Sequence, residues 1–224
     1  MASAYRPWAM RAGPDLELWC AVLPGRGSRA AERTASHMPT LADELAHAIR
    51  SRTDKPYALF GHSMGALLAY EVARRLDARG PGRPRGLFVS SAPCPDAPRS
   101  TLRLKGLPDA DLIRCFRQLG GIPAVVAENP EAMAAALPAL RADLELMQTY
   151  QPPVVRPLEC PITALGGLDD PMVAPPALAE WRRWTRASFK LRMLPGDHFY
   201  LQANTTTLLA LFESELGVHR CDVS

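Results

Sequence analysis

Long apolar runs are missing from this chain. Its most apolar stretch, residues 58–73, is broken by His62 and Glu71, and no charged start leads into an apolar N-terminal core, so neither a membrane span nor an export signal is expected. The cytoplasm is the expected compartment. Lysine is scarce too: only Lys55, Lys105 and Lys190 stand among 26 basic residues, and the rest are arginines, whose planar forks suit phosphate or carboxylate. With a net charge of +3, a pI near 8.7 and no basic stripe interleaved with aromatics, nucleic acid is not an expected partner. A modest basic patch facing an acidic protein stays compatible with that balance. The five cysteines (Cys20, Cys94, Cys115, Cys160 and Cys221) are odd in number, far apart and without metal-ligand spacing. They read as reduced, mostly buried small residues, and no metal site is expected.

What is present suffices for one core. The 224 residues, 47% hydrophobic and 22% charged, fit a single domain over the whole chain, residues 1–224. Residues 16–23 form a strand-like apolar run that ends at the turn signal Pro24-Gly25-Arg26-Gly27. From Pro39 a helix is expected, because Leu41, Leu45, Ala48 and Ile49 share one face and Asp43 and Glu44 sit in its first turn. A strand over 57–61 and a helix running to about Arg79 come next, then a buried strand over 86–91. Two more strands, 162–165 and 189–194, bracket a helix around 176–185, and a last helix covers 205–216. Alternating strands and helices predict an α/β fold with a mostly parallel sheet covered on both faces.

The region between residues 91 and 161 breaks the rhythm. Prolines mark both edges, Pro93, Pro95 and Pro98 going in and Pro152, Pro153, Pro157 and Pro161 coming out. Inside, Leu112, Phe116 and Leu119 form one apolar stripe, and Leu137, Leu140, Leu144 and Met147 another. Each residue singly reads as ordinary helix packing. Together, placed after the strand that succeeds the candidate nucleophile, they predict a helical lid over about residues 98–153.

The chemistry centres on Gly61-His62-Ser63-Met64-Gly65, set between a strand-like and a helix-like run. That context reads as a nucleophile elbow, a strained turn that exposes a serine hydroxyl and puts the Met64 N–H at a helix N-terminus, ready for an oxyanion. Both flanking glycines are expected to avoid collisions with strand and helix. The bare pattern would arise by accident about 0.08 times in such a chain, so later motifs must support it. In Gly167-Leu168-Asp169-Asp170-Pro171-Met172-Val173, at a strand end, Asp170 is the preferred acid and Asp169 the competitor; an Asx-type turn could use either. His198, in Pro195-Gly196-Asp197-His198-Phe199-Tyr200, is the natural base, whereas His37, His47, His62 and His219 are worse placed. The order Ser63, Asp170, His198 is the one expected of serine hydrolases with this elbow.

These residues carry a family resemblance. Leu23-Pro24-Gly25-Arg26-Gly27-Ser28-Arg29, Phe60-Gly61-His62-Ser63-Met64-Gly65-Ala66, Leu107-Pro108-Asp109, Leu119-Gly120-Gly121, Leu140-Arg141-Ala142-Asp143, Cys160-Pro161-Ile162-Thr163-Ala164-Leu165-Gly166-Gly167 and Gly196-Asp197-His198-Phe199 resemble the type II thioesterases, stand-alone α/β-hydrolases that accompany polyketide synthases and nonribosomal peptide synthetases. The resemblance implies hydrolysis of acyl thioesters from phosphopantetheine arms of acyl or peptidyl carrier protein domains. It implies the lid and no cofactor of the enzyme's own, since phosphopantetheine belongs to the partner. An acyltransferase or general esterase on the same triad, or a noncatalytic carrier-binding homologue, are the alternatives. In this family an opening strand ends in a Gly-Gly loop that donates a second oxyanion N–H, and Ala2-Ser3-Ala4-Tyr5-Arg6-Pro7-Trp8 resembles the stretch immediately after that loop. The opening strand is therefore expected to be missing from the interior of the sheet, through a start codon assigned too late rather than a degenerate copy. Arg74, Arg75, Arg79, Arg83 and Arg85 read as a solvated face, with docking of an acidic carrier as the alternative.

Overall fold

A computed structural model describes residues 5–52, 55–77, 82–98, 104, 106–122, 126, 128–152, 154 and 156–217. Residues 1–4, Arg79, Lys105, Pro153, His219 and Cys221 lie outside them. The chain opens with the short helix α1 (Arg6–Ala9) and continues through α2 (Met38–Arg50), β1 (Leu59–His62), α3 (Met64–Asp77) and β2 (Leu87–Ser90). After α4 (Asp109–Gln118) and α5 (Pro130–Thr149) come β3 (Ile162–Gly167), α6 (Pro175–Ala179), β4 (Phe189–Leu194) and α7 (Thr205–Leu216). The four strands are all parallel and stand in the order β1-β2-β3-β4. Successive side chains of a strand point to opposite faces. Here Leu87, Val89, Ile162 and Ala164 join the core built with α2 and α3, while Phe88 and Leu165 join the core of Trp8, Leu208, Leu209 and Phe212 from α1 and α7. Two cores, one on each face, make a covered sheet.

Most expected elements are present, with shifted ends. The strand expected over 57–61 runs Leu59–His62, β3 continues to Gly167, and the helix around 176–185 divides into α6 and a 3-10 segment, Glu180–Trp184. One expectation fails. Residues 16–23 belong to no strand, and Leu18 and Trp19 are exposed. A strand exists only through a neighbour about 4.8 Å away, and among the described residues neither this segment nor the outer edge of β1 has a ladder partner on that side. Apolar pattern without a partner leaves extended chain. Two of the cysteines also depart from the expectation of burial: Cys20 is exposed and Cys115 half-buried, while Cys94 and Cys160 are buried free thiols.

The turn between β1 and α3 is the tightest point of the fold. Ser63 takes φ +54, which costs a β-carbon residue energy and has to be held by its surroundings. Gly61 allows it: a Cβ there would lie 2.0 Å from the Gly65 carbonyl oxygen. Gly65 itself faces open space, so the expected collision applies to the first glycine only.

Behind the elbow, the carboxylate of Glu71 in α3 is buried and accepts hydrogen bonds from Tyr150 Oη at 2.6 Å, from Arg74 at 2.9 Å and from Arg75, which also reaches Asp43 of α2 at 2.6 Å. α2, α3 and the exit of α5 are thereby tied to one charge. Burial alone raises the Glu71 pKa, but the donors from Tyr150, Arg74 and Arg75 outweigh it and hold the carboxyl below its ordinary value.

Gly61→Ala should cost about 3 kcal/mol or more through steric overlap, whereas Gly65→Ala, at an open helical position, should gain up to about 1 kcal/mol, both read from denaturant midpoints. For Glu71, a depressed pKa contributes stability that is present above about pH 4.3, the unfolded value, and is lost as pH falls through the folded one. Glu71→Gln should cost about 1–3 kcal/mol near neutrality and flatten the acid side of a melting-temperature profile; an unchanged slope would contradict the assignment.

Candidate active site

Ser63 stands at the C-terminal end of β1, with its backbone N–H bonded to the Ser90 carbonyl at 2.8 Å. Met64 is buried and is the first residue of α3. The leading N–H groups of a helix have no intrahelical acceptor and carry partial positive charge, so this end suits an oxyanion.

The acid sits two strands away. Asp170 lies just past β3, and its fully buried carboxylate faces Nδ1 of His198 at 2.9 Å through Oδ2 and 3.2 Å through Oδ1. The N–H groups of Met172 and Val173 donate to Oδ1 at 2.8 and 3.2 Å. Burial pushes the Asp170 pKa up, yet the contact with His198, the Met172 N–H and the nearby Ser91 hydroxyl together bring it below the ordinary carboxylate value. It is ionised at neutral pH. Asp169, by contrast, is exposed and uses its backbone N–H on the Gly196 carbonyl at 2.9 Å. Of the two carboxylates, Asp170 is the one brought to the histidine.

The loop that carries His198 is drawn against β3. A Cβ on Gly167 would lie 2.2 Å from the Asp197 carbonyl oxygen, Gly196 takes φ +115, and Asp197 Oδ1 accepts from the Phe199 N–H at 2.8 Å. His198 is buried as a result. No hydrogen bond joins the Ser63 hydroxyl to His198 among the described residues; such contacts are often long in unliganded sites and tighten around substrate. The ring of His62, which precedes Ser63 in the chain, has its centroid 5.1 Å from that of His198, so the histidine loop reaches the elbow.

Sequence reasoning missed the pair Ser90-Ser91 at the end of β2. Besides the bond to the Ser63 N–H, Ser90 Oγ lies 2.9 Å from His62 Nδ1 and 2.8 Å from Tyr200 Oη, and Ser91 Oγ donates to the His198 carbonyl at 3.3 Å. Ser91 also takes φ +45, a second strained non-glycine. The pair connects the elbow to the histidine loop. Two hydroxyls ending an apolar strand were the only signal. His62 has its pKa well below the ordinary value, first through burial and then through the adjoining His198, so it stays neutral. His37, bonded to Thr40, and His47 are exposed on or beside α2 and remote from this group.

The arginines expected as a solvated or docking face divide. Arg74 and Arg75 are spent on Glu71, and Arg83 and Arg85, both exposed, precede β2 at the end of the sheet opposite Ser63. No helix among the described residues is long and apolar enough to cross a membrane.

Comparison with known proteins places this geometry. Residues 1–216 match the thioesterase domain family. Linear gramicidin dehydrogenase LgrE of Brevibacillus parabrevis is 37% identical over 218 residues, 96% of this chain and 83% of that protein. Among solved structures, RedJ, a thioesterase from the prodiginine biosynthetic pathway of Streptomyces coelicolor, has a TM-score of 0.88 at 40% identity, covering 96% of this chain and 85% of its own. BorB, a type II thioesterase from the borrelidin biosynthetic cluster, has a TM-score of 0.88 at 37% identity, covering 96% and 87%. A parallel sheet, a strained serine turn and these likenesses agree: the chain has the α/β-hydrolase fold and belongs to the thioesterase domain family.

Proposed function

We propose that this chain is a type II thioesterase that hydrolyses acyl groups from the phosphopantetheine arms of acyl or peptidyl carrier protein domains, and so regenerates a blocked polyketide or nonribosomal peptide synthase. The observation that carries the reading is the buried Asp170–His198 pair, held by the loops after β3 and β4 at the same edge of the sheet as the elbow of Ser63. In the proposed reaction Ser63 Oγ attacks the thioester carbonyl while His198 Nε2 takes its proton. Asp170 keeps the Nδ1 proton in place and stabilises the imidazolium. The Met64 N–H donates to the oxyanion. Collapse breaks the C–S bond, and the thiol leaves with the proton from His198. A thiol of pKa about 8.5 needs less help in leaving than an alkoxide or an amine would. Water, deprotonated by His198, then attacks the acyl-serine, and the free acid departs with Ser63 restored.

Apart from the attacking water, the chain and the carrier supply every group in this scheme; the phosphopantetheine is the partner's. α4 and α5, inserted between β2 and β3, are proposed as the lid of a single domain that spans residues 1–224, with the lid within residues 98–153. Buried free thiols at Cys94 and Cys160 suit the reducing cytoplasm.

The relative named a dehydrogenase prompts one check. Gly25-Arg26-Gly27-Ser28-Arg29-Ala30 has the spacing of a dinucleotide fingerprint, which requires a paired strand before it and a helix after it. Here the preceding segment is in no ladder, the motif itself holds only a three-residue 3-10 turn, Gly27–Arg29, with no helix opening from it, and Arg26 is bound to Asp143 of α5 at 2.8 and 3.0 Å. Hydrolysis is the reading that the residues support.

The test is turnover of acylated carrier protein, with water compared against amine and alcohol acceptors. Ser63→Ala should abolish acid release above background while carrier binding persists; retained turnover would sink the scheme, and preferential transfer to an added acceptor would make the chain an acyltransferase. Asp170→Asn should lower kcat by about 10⁴-fold by disturbing the imidazole tautomer, while Asp169→Asn should stay within about twofold of wild type. Equal losses at both positions would reject Asp170 as the acid.

A further inference from the structure

The turn that ends α4 presses on both residues flanking His198. Gly120, at φ +74, is so placed that a Cβ would lie 3.0 Å from Asp197 Oδ2. At Gly121 a Cβ would come within 2.4 and 2.6 Å of Cε2 and Cζ of Phe199, and 3.3 Å of Phe116 Cδ1. The turn is itself fixed to α4, through Gly120 N–H to the Arg117 carbonyl at 3.0 Å and Gly121 N–H to the Phe116 carbonyl at 2.9 Å. On its other side the Phe199 ring meets imidazoles: its centroid is 5.1 Å from that of His198, at 80°, and 5.2 Å from that of His62, at 53°. Phe199 fills the space between the inserted helices and the base.

We propose that Phe199 is a positioning residue, which transmits the seat of the inserted helices to His198, and that bare backbone at Gly120 and Gly121 is what lets the imidazole hold its place. The inference rests on the reading of His198 as the base. Ordinary carbon contact is about 3.5–4.0 Å, so a methyl group at residue 121 forces Phe199 to move by more than about 1 Å. The bond that the Phe199 N–H donates to Asp197 Oδ1 restrains the backbone, which leaves the ring to turn toward the two histidines. Displacement on that scale costs up to about 100-fold when it reaches a reacting group.

Gly121→Ala, Phe199→Leu and the double variant, each in the full chain, test this by kcat and KM on an acyl-pantetheine thioester. In parallel, ¹⁵N-resolved imidazole resonances of His198, assigned against His198→Gln, report the ring whether or not the protein turns over. Gly121→Ala should lower kcat about 10- to 100-fold with KM within about twofold, and should move the His198 resonances. Adding Phe199→Leu, which makes room, should restore kcat to within about threefold of Phe199→Leu alone and return the resonances toward it. Unmoved resonances in Gly121→Ala, or losses that simply multiply in the double variant, would overturn the proposal. Should Gly121→Ala fail to fold, Phe199→Leu decides alone: a changed Nδ1/Nε2 tautomer balance of His198, read from its imidazole ¹⁵N shifts, together with a fall in kcat supports the coupling, and an unchanged balance rejects it. A wild-type chain inert toward thioesters would defeat the proposed function, while the resonances would still settle the positioning role.

Discussion

The hydrogen-bond ladder of the sheet does not stop where the strands stop. Ser63 N–H donates to the Ser90 carbonyl, Ser91 N–H to the Leu165 carbonyl, and Leu168 N–H to the Leu194 carbonyl, at 2.8, 2.9 and 2.8 Å. Each parallel strand hands its exit to the next. Because parallel strands all end on one side, the elbow, the serine pair, the acid loop and the histidine loop emerge in a row, and backbone bonds fix their relative heights. A site assembled this way needs only short excursions of side chain to bring distant residues together. The two left-handed residues other than glycine among the described residues, Ser63 and Ser91, both lie at these exits, where the ladder over-determines the chain enough to hold them.

That arrangement sets the electrostatics as well. A buried carboxylate is costly unless its lone pairs are occupied, and Asp170 is supplied by the N–H groups of Met172 and Val173 and by His198. The charge that results faces the imidazole. A second imidazole at that distance could have opposed it, since a protonated His62 would repel the imidazolium that forms on His198 in the proposed acyl transfer. Burial prevents this by keeping His62 neutral, and its Nδ1 contact with Ser90 turns the ring into a structural part of the row. In the proposed reaction two histidines 5.1 Å apart thus have different duties.

Much of the fold was legible because punctuation and pattern agree. β4 and α7 were read to the residue, the strand between Ser188 and the Pro195-Gly196 turn, the helix from Thr205 to the left-handed Gly217. Residues 16–23 have the right apolar content and still form no strand, since pattern records what a segment would bury and pairing depends on a neighbour that local sequence does not describe. Gly61 and Gly65 look equivalent in the motif, yet only one is sterically required, a distinction that rests on where the first turn of α3 points. Asp169 and Asp170 are separated by burial, one outward and one under the histidine loop. Ser90 and Ser91 were illegible: their roles are relations to Ser63, His198 and Tyr200, up to 110 residues away in the chain.

The inserted helices are attached by contacts of unequal strength. At the exit of α5, Tyr150 donates to a carboxylate that is fully buried and shared by two guanidinium groups, a bond whose loss leaves an unsatisfied interior charge. Midway, Arg26 grips Asp143 through two parallel bonds in a half-buried setting. Nearer α4, Arg141 reaches Asp109 and the Leu107 carbonyl from positions open to solvent, where screening leaves an ion pair with about 1 kcal/mol or less. At the far tip, Gly121 packs so closely on Phe199 that a Cβ would lie 2.4 Å from Cε2, with no polar bond between the two among the described residues. Among the described residues, attachment therefore weakens from the elbow helix outward to the histidine loop, so the part of the insertion closest to His198 is held there least by polar bonds and most by shape.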